Sequence, residues 1–130
     1  MRRALQGAGI YFNRIENIMV AGMPDVVTVK SGRVTFCELK AVEKIPARAS
    51  TPLLSDKRGL SPEQRNWHLE WTRAGGNSLI IVGIGASDIF VVRGAQADAV
   101  NRMPACDLSD AAAAWSWDGL MYELERGRML

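Results

Sequence analysis

At 130 residues the chain is the size of one domain, 48% of it hydrophobic and 23% charged, a balance that excludes global disorder and supplies one mixed core. Its longest apolar run, near residues 78–85, falls far short of the roughly 20 residues that cross a bilayer, and no signal-peptide pattern opens the chain, so a soluble intracellular protein is expected. Two cysteines, one histidine and a net charge of +2 exclude a disulfide framework and a structural zinc site, and do not by themselves identify a nucleic-acid binder.

Residues 1–8 read as a short helix, and 10–16 fit either a strand or a helix because aromatic and charged residues interrupt the period. Gly22-Met23-Pro24 breaks the chain, with Pro24 fixing its backbone just ahead of Asp25. Residues 25–30 (DVVTVK) and 33–41 (RVTFCELKA) are rich in β-branched residues, and Ser31-Gly32 between them predicts a β-hairpin. Residues 42–60 hold two prolines, serine, threonine and glycine without an apolar period, which predicts a long functional or mobile loop. Ser61-Pro62-Glu63-Gln64 is a capping-box signature opening a helix that Gly75-Gly76 stops, with Gln64, Trp67, His68 and Trp71 on one face. Strands are expected at 79–84 and 89–93 around the Gly85-Ala86-Ser87 turn, then short helices near 95–102 and 109–115 from their alanine content.

Chemistry concentrates at the hairpin. Strand alternation puts Glu38 and Lys40 on the same side, with Leu39 opposite, in a strand apolar on both faces and therefore central. Asp25 begins the neighbouring strand, so folding back at the turn brings its carboxylate near Glu38. Two converging carboxylates are hard oxygen ligands of the kind Mg²⁺ or Mn²⁺ selects. Beside them, the Lys40 ammonium can orient a water or stabilise charge on phosphorus oxygens. From Lys40 to Arg65 six basic residues face three acidic ones, and Lys44, Arg48, Lys57, Arg58 and Arg65 form a modest basic segment suited to phosphates.

The ordered combination GMPD (22–25), FCELK (36–40) and LSPEQRNWHLEW (60–71) resembles the PD-(D/E)XK nuclease superfamily, and more narrowly its VRR-NUC branch with small stand-alone phage and bacterial members. The resemblance spans about residues 14–85. It implies an α/β fold, a small mixed β-sheet flanked by helices in one nuclease domain over residues 1–130, in a bacterial cytoplasm or phage-infected host. It also implies a Mg²⁺-dependent DNA endonuclease in which Asp25, Glu38 and the Leu39 carbonyl hold the metal, Mn²⁺ substitutes, Lys40 is catalytic and Gln64 faces the site. Some members carry another acidic ligand on the first helix; residues 1–13 have none, and Glu16 is the nearest candidate.

Branched DNA and a homodimer are the substrate and assembly the resemblance suggests, with Trp115, Trp117, Met121 and Tyr122 as an apolar contact. Rivals are a site-specific homing or restriction-type endonuclease, a non-catalytic DNA-binding protein on the same fold, and an unrelated small-molecule hydrolase. Structural readings stand beside the functional ones: an ion pair for Glu38 and Lys40, a cap for Gln64, a surface or partly buried helix position for His68, and core anchors for Trp67 and Trp71.

Overall fold

The β-branched runs build the centre of a mixed five-stranded sheet. In the computed structural model, which describes residues 2–7, 9–15, 20–54 and 58–126, the strands are β1 (Tyr11–Arg14), β2 (Val26–Lys30), β3 (Arg33–Val42), β4 (Asn77–Ile84) and β5 (Asp88–Arg93), ordered β1-β2-β3-β4-β5. Among the described residues only β3 and β4 pair in parallel. A parallel pair needs a crossover, and it carries helix α2 (Pro62–Arg73). The hairpin closes as its sequence requires: Ser31 (φ 51°) and Gly32 (φ 77°) both adopt left-handed backbone, the geometry that matches strand twist in a two-residue turn.

Alternation along the strands divides the interior into two layers. On one face Val26, Cys37, Leu79, Ile81, Ile89 and Val91 pack under Leu5 of α1 (Arg2–Gly7) and Leu120 and Leu124 of α4 (Trp117–Arg126). On the other, Val42, Ile80, Val82, Ile84 and Val92 pack with Leu53, Leu54, Leu60, Ala97, Val100 and Leu108. Flanking helices thus lie on both sides of the sheet. No helix among the described residues is long and apolar enough to cross a membrane.

Two expectations are corrected. The segment 95–102 forms two short 3₁₀ helices, Gly94–Gln96 and Val100–Arg102, rather than one α-helix; Ala97 and Val100, three apart, are the residues it buries. The next helix, α3, is Ala105–Ala111 instead of 109–115, because Ala113 and Ala114 hydrogen-bond to Val91 at the sheet edge. Some described residues of the loop before α2 are anchored to the core. Leu53, Leu54 and Leu60 are buried in the second layer, and Leu53 N–H donates to the Met103 carbonyl at 3.1 Å.

Candidate metal centre

The β2–β3 register pairs Val26 with Cys37, so one further step sets Asp25 opposite Glu38. At that point the ladder stops and Leu39 N–H needs an acceptor. Asp25 Oδ2 supplies it at 3.0 Å, while the Asp25 carbonyl accepts from Ile15 N–H at 2.7 Å. Asp25 is thereby fixed from both sides, by backbone toward β1 and by side chain toward β3.

Gly22 explains how the turn before Asp25 reaches the site. Its φ is +81°, and a Cβ there would strike the Glu63 carbonyl and the Gln64 amide at the start of α2. Both the conformation and the approach demand glycine. Gly22→Ala should cost about 2–4 kcal/mol, from left-handed strain plus overpacking against backbone. Urea unfolding of the variant measures this; an unchanged midpoint would show that the turn does not rest on the helix.

Glu38 is 1% exposed, on the α2 face of the central strand. Its Oε1 accepts from Gln64 Nε2 at 2.8 Å and lies 3.6 Å from Lys40 Nζ. Its Oε2 is buried without a hydrogen-bond partner. Burial, then the charge of Asp25, pushes the Glu38 carboxyl up from 4.5 to about 7 against the lowering effect of Lys40. An ionised Glu38 facing a second carboxylate is costly in a bare protein, a cost that a proton shared with Asp25 or a hard cation relieves. The donors present therefore fit a divalent ion of the magnesium class.

Gln64 closes the capping box and also reaches Lys40 and Glu38. Its Oε1 accepts from Ser61 N–H at 2.9 Å and from Lys40 Nζ at 3.1 Å, while its backbone N–H donates to Ser61 Oγ at 3.1 Å. The capping box that starts α2 is thus the same group that orients Lys40 and Glu38. Among the described residues no three or more His, Cys, Asp or Glu side chains gather into a metal cage; two carboxylates and the Leu39 carbonyl are the set to weigh. Glu16 lies outside the described residues.

No protein-family model matches the chain, and no curated protein matches it in sequence. Among solved structures it is similar to a Holliday junction resolvase from the archaeal hyperthermophile Archaeoglobus fulgidus, at 15% identity over 69% of this chain and 68% of that one, with a TM-score of 0.49. At that level of likeness the chemistry of the site rests on its own geometry.

Lys44, Arg48 and Arg58 are exposed and Arg65 is partly buried in the first turn of α2; Lys57 lies outside the described residues. His68 is not a surface or partly buried position. It is wholly buried, with Nδ1 2.8 Å from Ser78 Oγ, and burial lowers its pKa from 6.5 to about 4, so it packs as a neutral ring. Trp67 and Trp71 stack on each other and meet Phe36 edge-on, half-buried rather than deep in the core. Trp115, Trp117 and Tyr122 are exposed, whereas Met121 packs partly against the first layer. Asn101, which the sequence reading passed over, holds the chain just ahead of Ser61 through the backbone of Leu60.

Proposed function

We propose that this protein is a metal-dependent DNA endonuclease with a PD-(D/E)XK-type core. The observation that carries the reading is the buried, half-unpartnered Glu38 carboxylate opposite Asp25, with the Lys40 ammonium held beside it by Gln64. Asp25, Glu38 and the Leu39 carbonyl would hold Mg²⁺, with Mn²⁺ as a substitute. When bound, such an ion polarises a phosphodiester and lowers the pKa of a coordinated water.

The chain's own groups do the rest. Asp25 is positioned by Leu39 N–H, and Glu38 by Gln64, so neither carboxylate has to be ordered on binding. Lys40 Nζ spends one hydrogen on Gln64 and keeps others to orient a water or to donate to a phosphoryl oxygen as charge develops. Lys44, Arg48, Lys57, Arg58 and Arg65 would contact the DNA backbone, positioning it without reading sequence.

The substrate is branched DNA of the four-way-junction kind and the working form a homodimer, both on the sequence resemblance, with Trp115, Trp117 and Tyr122 as the surface residues available to the contact. The test is cleavage of a panel comprising four-way junction, flap, single strand, linear duplex and plasmid. Cutting is expected with Mg²⁺ or Mn²⁺, strongest on the junction, and abolished by EDTA or Asp25→Ala. Cleavage of linear duplex at one sequence would replace the substrate assignment, and no cutting with any metal would remove the enzyme reading.

A further inference from the structure

Resting on that endonuclease reading, we infer that Asn101, outside the catalytic cluster, is a positioning residue that sets the geometry of Lys40 and Glu38 through the start of α2. Its side-chain amide makes two hydrogen bonds to one residue 41 positions away: Oδ1 accepts from Leu60 N–H at 2.8 Å, and Nδ2 donates to the Leu60 carbonyl at 2.8 Å. The arrangement copies a rung of β-sheet, and both Leu60 groups belong to a residue only 5% exposed, where an unpaired backbone donor or acceptor is costly. Gly59 closes on the same amide; a Cβ there would meet Asn101 Oδ1 at 2.5 Å and Cγ at 2.7 Å. Asn101 itself sits in the 3₁₀ turn Val100–Arg102, anchored by the fully buried Val100.

Leu60 is followed directly by Ser61, the residue that caps α2. Ser61 N–H donates to Gln64 Oε1 at 2.9 Å, and that oxygen also receives Lys40 Nζ while Gln64 Nε2 holds Glu38. The Gln64 amide is therefore held by three partners, and the one that ties it to the backbone, the Ser61 N–H, belongs to the residue after the clamp. Short polar contacts, joined by the Leu60–Ser61 peptide bond, run from Asn101 through Gln64 to both groups of the site. A long loop precedes Leu60, so without Asn101 the polypeptide ahead of the cap has fewer fixed points. Burial of the Leu60 side chain restrains distance from the core, but the paired hydrogen bonds restrain rotation of the backbone.

A structural and a positioning role are separated by a double-mutant cycle. Asn101→Ala should lower kcat for junction cleavage about tenfold, with KM changed less than twofold, because DNA contacts are untouched. In the Gln64→Ala background the same substitution should lower kcat less than twofold, since the group through which Asn101 acts is gone. Equal factors in the two backgrounds, or no loss in the first, would overturn the inference. Asn101→Asp, which keeps the acceptor for Leu60 N–H and turns the donor into a second acceptor facing the carbonyl, serves the same cycle if the alanine variant does not fold.

The Gln64 side-chain amide resonances in heteronuclear NMR give a readout that needs no turnover. Asn101→Ala should move them toward solvent-exposed values, and unmoved resonances would count against the inference. Moved resonances in a protein that cuts no DNA would sink the endonuclease reading and leave the positioning intact. Active enzyme with multiplicative factors and unmoved resonances would do the reverse.

Discussion

Glu38→Gln should make the metal-free protein more stable at pH 8 while reducing metal-dependent cleavage at least 100-fold. The reason lies in the environment that burial and Asp25 impose on the carboxyl. Its pKa rises from 4.5 to about 7, so the folded state holds a proton that the unfolded chain releases. That contribution is fully present below pH 4.5 and is lost as pH rises through about 7, an interval corresponding to roughly 3 kcal/mol. Glutamine keeps the neutral shape at every pH: its oxygen can still accept from Gln64, and its amide can donate toward Asp25. A gain of about 1–3 kcal/mol at pH 8, vanishing near pH 4, is the expected result in urea unfolding. His68 adds a second signature with the opposite sign. Its pKa falls from 6.5 to about 4, so its contribution is present above 6.5 and lost as pH falls through 4. In the wild type these two slopes oppose each other between pH 4.5 and 6.5; in Glu38→Gln only the histidine slope remains, and stability should climb with pH across that window. A variant less stable than wild type at pH 8 would mean that the Glu38 charge is already compensated in the folded protein. Retained cleavage would remove Glu38 from the ligand set.

The parts of this arrangement that were legible in the sequence are those fixed locally or by register. Ser31-Gly32 dictates the turn, the turn dictates which residues face each other, and that arithmetic alone puts Asp25 against Glu38. Ser61 and Gln64 are three apart in a capping box, so the helix start could be read without knowing what lay beneath it. What escaped is non-local. Asn101 acts across 41 residues, and an asparagine in an alanine-rich segment carries no mark of such a partner. His68 reads as a helix-surface residue until Ser78, on the strand after the helix, is seen to pair with its Nδ1. Helix α4 carries a signal that is present in the sequence. Ser116 Oγ accepts from Gly119 N–H at 3.1 Å as a cap, and Leu120 and Leu124 recur four apart on the buried side. The bounds of helix α3 do not follow from alanine content, which records helix propensity but not the competing hydrogen bonds that β5 offers to residues 113 and 114.

Lys40→Ala separates two things the ammonium does. At 3.6 Å from Glu38 Oε1 it opposes the rise in the Glu38 pKa, and ligands must be deprotonated before a metal binds. Without Lys40 the carboxyl keeps its proton to higher pH, so Mn²⁺ affinity measured by calorimetry should fall at pH 7 and return to the wild-type value near pH 9. Cleavage should fall at least 100-fold at both pH values, because a positioned acid–base or charge-stabilising group contributes on that scale and raising the pH does not replace it. Alanine also frees Gln64 Oε1 of one donor while leaving Ser61 N–H in place, so the helix cap and the hold on Glu38 survive and the loss is not one of folding. If cleavage instead recovers in step with metal binding at pH 9, Lys40 serves only to keep Glu38 ionised, and the reacting water must be oriented by another group. If metal binding is unchanged at pH 7 while cleavage is lost, the ammonium acts on the substrate alone, and the coupling between the two side chains on the central strand carries no weight in binding the ion.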